Sequence, residues 1–214
     1  MTGFREASDR SLYIDFGDEI SRTSHEHVVR LLRRLELRPL PGVLNLHPAY
    51  TSILVVFNPL ITDHESLQLA LTALAAECDD SALPPPRTVE IPVHYGGLDG
   101  PDLEDVAAIH GLSPHRVIEL HSTAIYTVYF LGFVPGFAYM GGLPAEIATP
   151  RLPSPRTHVP AGSVGIAGNQ TGVYPFITPG GWRLIGRTET RMFDSTRDEM
   201  SLLRAGDHVR FVTA

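Results

Sequence analysis

Between residues 11 and 95 the apolar positions switch repeatedly between a period of two and a period near 3.6. SLYIDFG (11–17) alternates as a half-buried strand does, and SHEHVVRLLRRLEL (24–37) sets Val28, Leu31, Leu32 and Leu35 on one helical face. VLNLH and TSILVVF return to the strand pattern. Thr62 and Glu65 form a capping box ahead of Leu67, Leu71 and Leu74, predicting a second helix that runs out at Cys78-Asp79-Asp80. TVEIPVHY (88–95) closes the series as strand, helix, strand, strand, helix, strand, the split βαβ order of ferredoxin-like domains. Pro84-Pro85-Pro86 is too stiff and too poor in N–H donors for a helix, so it marks a boundary between units 1–86 and 87–214. The strand at 88–95 follows that boundary although it completes the first pattern.

Past Gly96 the texture changes. GPDLEDVAAIHG has Pro101 at a first helical position, Asp102, Glu104 and Asp105 in the first turn, and Gly111 as a stop. A short helix starts at Ser113-Pro114 and carries Val117, Ile118 and Leu120. From Tyr126 onward, YTVYFLGF, VGIAG, WRLIGRT and HVRFVT are short β-like runs between Gly/Pro turns, the signature of a small barrel or sandwich. The fold class is therefore α+β.

Composition narrows the partners. The net charge is −7 without a basic run, which gives no electrostatic reason to expect nucleic acid or an anionic membrane. The N-terminus, MTGFREASDRS, lacks a basic start followed by an apolar run, and the expected location is cytoplasmic. Cys78 is the single cysteine, so no intramolecular disulfide forms, and ALAAECDD reads as a helix face.

Several short patterns fail on context. Gly181 to Thr188 mimics a phosphate loop, but Trp182, Leu184 and Ile185 make an apolar strand, and no helix pattern follows. His25 and His27 flank Glu26 but point in different directions on a helix, so no metal is assigned. Asn169-Gln170-Thr171 fits a glycosylation sequon and reads equally as a turn. The densest chemical signal is PRLPSPRTHVPAGS, which brings Arg151, Arg156 and His158 into a proline-stiffened loop. It runs into a segment crowded with glycine, HVPAGSVGIAGNQTGVYPFITPGGW. Arginine's planar fork suits a carboxylate or phosphate, and glycines let a ligand approach backbone. Solvated arginines on a rigid connection fit the same residues.

LHSTAIYTVYFLGFVPGFAYMGGLP, TPRLPSPRTHVPAGSVGIAGNQTGVYP, TPGGWRLIGRT and GDHVRF resemble the KipI / allophanate hydrolase subunit 1 family, also described as the B subunit of 5-oxoprolinase. YGGLDGPDLEDVA, SLYIDFGDEIS and PGVLNLHPAYTSILVVFNPL extend the resemblance over nearly the whole chain, although the family often has GFPYL where Gly136-Phe137-Ala138-Tyr139-Met140 stands here. The resemblance implies a ferredoxin-like N-terminal domain and a cyclophilin-like C-terminal β-barrel. It further implies work with a KipA-like C subunit and a LamB/YcsF-like A subunit in ATP-dependent opening of 5-oxoproline to glutamate, with ATP bound somewhere in the assembly. Two other readings stand beside it: a regulator that binds and inhibits a sensor histidine kinase, and an amide-processing subunit like those of urea carboxylase and allophanate hydrolase. On the amide-hydrolase reading, the candidate catalytic residues are His121 as proton shuttle, Arg156 and Gln170. The candidate substrate-binding residues are Arg151, Ser163, Gly165, Gly168, Thr171, Tyr174, Gly180, Gly181 and Trp182.

Overall fold

The computed structural model describes residues 3–77 and 85–214. The chain divides into two compact units, Met1–Pro85 and Pro86–Ala214. Cys78 and Pro84 lie outside the described residues. Among the described residues, no helix is long and apolar enough to cross a membrane.

In the first unit β1 (Gly3–Ser8) and β2 (Ser11–Asp15) form a hairpin, followed by α1 (Arg22–Leu37), β3 (Val43–Pro48), β4 (Ser52–Phe57) and α2 (His64–Ala76). The sheet is antiparallel in the order β1-β2-β4-β3. This corrects the expected chain order. The place beside β2 belongs to a strand from the start of the chain, and residues 88–95 pair elsewhere. A hairpin closes a shorter loop than a strand arriving after α2 would. The pattern hid it because GFREAS is exposed at nearly every position. The helices bury the faces that periodicity assigns them: Val28, Leu31, Leu32 and Leu35 on α1, and Leu67, Leu71 and Leu74 on α2. The α2 cap differs from the expected box, since Asp63 accepts the Ser66 N–H at 2.8 Å.

In the second unit β5 (Thr88–Tyr95) is followed by α3 (Leu103–His110), α4 (Pro114–Thr123), β6 (Tyr126–Leu131), β7 (Ala138–Gly141) and a 3-10 turn at Ala145–Ile147. Then come β8 (Arg156–Val159), β9 (Ser163–Ala167), β10 (Gln170–Val173), β11 (Thr178–Gly180), β12 (Arg183–Arg187) and β13 (His208–Thr213). Seven of these strands close a barrel in the order β10-β7-β6-β13-β5-β12-β9, β9 pairing back onto β10. The β5–β13 contact is parallel and joins the two ends of the unit's sequence. Ile91 and Val93 of β5 are fully buried in the barrel core with Val128, Met140, Val164 and Phe211, which is where the alternation in TVEIPVHY is used. β8 and β11 form a separate two-stranded ribbon.

The helix signals mostly fall where expected. Gly111 ends α3 in the left-handed region (φ 64), and Ser113 caps α4 by accepting the Arg116 N–H, with Pro114 in the first turn. α3 starts at Leu103, later than Pro101 predicts. Asp102 is its N-cap, yet its carboxylate makes no capping bond because it is committed elsewhere.

α1 and α2 are tied by a buried cation. Arg34 is 3% exposed and its Nη1 donates to the Leu74 carbonyl, in the last turn of α2, at 2.8 Å. Arg34→Met keeps the length and removes the donor from that acceptor. We expect a loss of about 1–3 kcal/mol, read as a lower urea midpoint in the circular-dichroism transition. An unchanged midpoint would show that the tie contributes nothing.

Candidate functional site

The ribbon of β8 and β11 lies over an aromatic cluster. Val159 sits opposite Thr178 and Arg156 opposite Gly180, with an irregular register between the two pairs. Behind them Phe137, Val159, Tyr174, Trp182 and Leu184 are buried together. Phe137 meets Trp182 edge-on at 5.4 Å and Tyr174 at 5.3 Å, arrangements that aromatic quadrupoles favour. The glycines make room for these rings. A Cβ on Gly172 would stand 3.1 Å from both Phe137 Cζ and Trp182 Cζ3, and one on Gly180 would stand 2.4 Å from the Tyr174 hydroxyl. At these two positions the backbone freedom therefore serves the protein's own side chains.

Arg156 is anchored rather than free. Its Nη2 donates to Asp102 Oδ1 at 2.6 Å, and Asp102 Oδ2 accepts the Leu184 N–H at 2.6 Å. The Asp102 N–H in turn donates to the Leu184 carbonyl at 2.9 Å. The guanidinium thus lies against the N-terminus of α3 and β12. Arg151 is exposed, with its guanidinium 6.0 Å from the Trp182 ring centroid. Burial pushes the Tyr174 hydroxyl pKa up, opposed first by a hydrogen bond with the Trp182 backbone and then by the nearby charges of Arg151 and Arg156. Two cations therefore act on one buried hydroxyl. Gly181 completes this end of the unit, its carbonyl accepting the Leu152 N–H at 2.7 Å.

A second group of predicted residues sits in the barrel interior. His121, in the last turn of α4, is fully buried and stacks on Phe211 at 4.6 Å. Its Nδ1 is 2.8 Å from the Tyr95 hydroxyl and its Nε2 is 3.0 Å from Thr171 Oγ1, which donates to the Gly165 carbonyl at 3.0 Å. Each proton in this chain has one place to go. Thr171 gives its proton to Gly165, so it accepts from Nε2–H, and Nδ1 accepts from Tyr95. Burial holds the imidazole neutral, with its pKa lowered to about 3. Ser163 is buried at the start of β9, while Gly168 and half-buried Gln170 belong to the β9–β10 hairpin. The structure thus gathers Arg151, Arg156, Tyr174, Gly180, Gly181 and Trp182 at the ribbon, and His121, Thr171 and Gly165 inside.

Asp102, Tyr95 and Thr178 belong to these groups and carry no functional signal in the sequence. Asp102 reads there as an ordinary first-turn acid, and its partners Arg156 and Leu184 are far away along the chain. The phosphate-loop lookalike ends as strand β12, its backbone paired with β9 and β5, so it cradles no phosphate. On α1 the expected divergence is visible: His25 is buried, while His27 is exposed and stacks on Phe16.

Residues 2–203 match the carboxyltransferase domain, subdomain C and D, and the chain belongs to that family. It is 44% identical over 217 residues to the 5-oxoprolinase B subunit of Bacillus subtilis, covering 97% of this chain and 90% of that protein. It is 48% identical over 208 residues to the 5-oxoprolinase B subunit of Escherichia coli O157:H7, covering 95% and 92%. The resemblance carried by the motifs therefore holds. Among solved structures, TTHA0988 matches with a TM-score of 0.86 at 39% identity, over 97% of this chain and 40% of that longer one. The Kluyveromyces lactis urea carboxylase matches with a TM-score of 0.73 at 20% identity over 100% of this chain and 22% of that one, a likeness of fold.

The buried imidazole makes the second unit sensitive to acid. In the unfolded chain a histidine takes up its proton near pH 6.5, whereas folded His121 does so only near about 3. Between those values the unfolded state binds more protons, so stability falls as pH drops through the window, by at most about 1.4 kcal/mol per pH unit from this group. Denaturant unfolding measured from pH 7 to pH 4 should show this slope, and His121→Gln should flatten it. Equal slopes in both proteins would remove His121 as the cause.

Proposed function

We propose that this chain is the B subunit of a cytoplasmic 5-oxoprolinase, acting with a KipA-like C subunit and a LamB/YcsF-like A subunit to open 5-oxoproline to glutamate with ATP. The observation that carries this reading is the 44% and 48% identity to two proteins of that name over 90% and 92% of their lengths. The ribbon site supports it. A lactam is a resonance-stabilised amide and a poor electrophile, so opening it needs an activated carbonyl and preorganised donors for the charge that develops. On this reading, Arg151 and Arg156 hold anionic groups at the ribbon, the Tyr174 and Trp182 rings shape an apolar wall, and their burial keeps water away from it.

ATP supplies the activation in the assembly, and the phosphate-loop lookalike of this chain is committed to the barrel wall. His121, buried and neutral, keeps the β9–β10 hairpin in place through Thr171 and Gly165, close along the chain to Gln170. The site is completed by the partner proteins.

Two outcomes test this. The purified chain folds but forms no glutamate from 5-oxoproline and ATP, and the co-expressed three-protein assembly does. Robust turnover by the chain alone would contradict the distributed site. In the assembly, Arg156→Lys keeps a charge for Asp102 but cannot span Asp102 and a ligand at once. We expect kcat/KM to fall roughly ten- to a hundred-fold at unchanged melting temperature. If activity and melting temperature fall together, the lost activity comes from the weakened tie to Asp102 and not from a lost ligand contact.

A further inference from the structure

The inner face of the ribbon carries two buried polar atoms with nothing to bond. Arg156 Nη1 and Thr178 Oγ1 are both sealed from solvent and have no hydrogen-bond partner. An unpaired buried donor bears its desolvation penalty without compensation, so two on one small ribbon call for a physical reason.

The register puts both side chains on one face of the ribbon. Thr178 lies opposite Val159 and Gly180 opposite Arg156, and the irregularity between the pairs keeps all four residues on the same side. That side faces inward, because Val159 is fully buried in the aromatic cluster and the missing Gly180 side chain would point at the Tyr174 hydroxyl. Arg151 and Arg156 both act on that hydroxyl. With Asp102 occupying Nη2 of Arg156, its Nη1 is left to a second acceptor.

A small anionic group able to accept from a guanidinium N–H and a hydroxyl at once would satisfy both atoms. A carboxylate offers two acceptor oxygens, and charge-assisted bonds of this kind are the strong ones. We propose that this face forms a nook for the carboxylate of the cyclic amide substrate, one oxygen on Arg156 Nη1 and the other on Thr178 Oγ1, with Arg151 at the rim. This rests on the function proposed above and names which part of the substrate this chain holds. Both atoms are covered, so binding requires the ribbon to part from the cluster beneath it. Arg156, 29% exposed, and half-exposed Gly180 mark the edge of the ribbon.

Trp182 is the single tryptophan of the chain and packs in the cluster under the ribbon, so its emission reports on the nook. The full chain is titrated with 5-oxoproline and with 2-pyrrolidinone, the same ring without the carboxylate. We expect a saturable change with the first and none with the second at equal concentration. Thr178→Val should weaken the response about tenfold. Its melting temperature should be unchanged or higher, since a methyl replaces an unpaired hydroxyl, and Thr178→Ser should retain binding. The proposal is overturned by equal responses to both compounds, by no response to either, or by wild-type affinity in Thr178→Val. The two readings can fail separately. A carboxylate-dependent response in a chain whose assembly does not open 5-oxoproline leaves the nook and removes the function. Turnover at wild-type KM by an assembly carrying Thr178→Val leaves the function and removes the nook.

Discussion

The candidate site depends on the Asp102 carboxylate. It is nearly inaccessible to water, and a buried charge is tolerable only when its oxygens are taken up by donors. One oxygen takes the Arg156 guanidinium, the other takes the Leu184 N–H, and the Asp102 N–H returns a bond to the Leu184 carbonyl. Three elements are fixed by this one side chain: the start of α3, the strand β12 and, through Arg156, the ribbon. β5 pairs with β12 only at Gly186 and Arg187, so Leu184 lies beyond that pairing and its N–H goes to a side chain instead. The same commitment leaves Nη1 of Arg156 buried without a partner.

Burial of aromatic rings supplies the second constraint. Phe137, Tyr174 and Trp182 occupy the space that side chains at Gly172 and Gly180 would fill, so at these two positions the glycine-rich stretch reflects packing. In the barrel interior a polar chain replaces part of the apolar filling. Tyr95, His121, Thr171 and the Gly165 carbonyl satisfy one another in sequence, which lets an imidazole remain neutral among Tyr126 and Phe211. A chain of this kind is stable only if complete, because each unmet group in a low dielectric carries its desolvation penalty.

Local physics makes much of the fold legible in the sequence. The apolar faces of α1 and α2, the Gly111 stop and the Ser113-Pro114 start depend on near neighbours, and they appear where spacing places them. The strands YTVYFLGF, VGIAG, WRLIGRT and HVRFVT all become barrel strands, because their apolar runs report burial whichever partner provides it. Partner choice is what the sequence withholds. The β5–β13 pairing joins distant segments, and β1 is too exposed to show alternation, so periodicity assigns the first sheet the wrong fourth strand. The site is legible in the same uneven way. Arg151, Arg156 and the glycines stand out by residue type, whereas Asp102 and Thr178 acquire meaning only from contacts made across the fold.

The central claim is that this chain is an indispensable part of a 5-oxoproline-opening assembly, and omission with add-back tests it most directly. The KipA-like and LamB/YcsF-like partners are purified without this chain, and ATP-dependent glutamate formation is followed as the chain is titrated in. The account predicts negligible initial rate without it and a rise that saturates at a fixed stoichiometric ratio. A full rate in its absence would contradict the account.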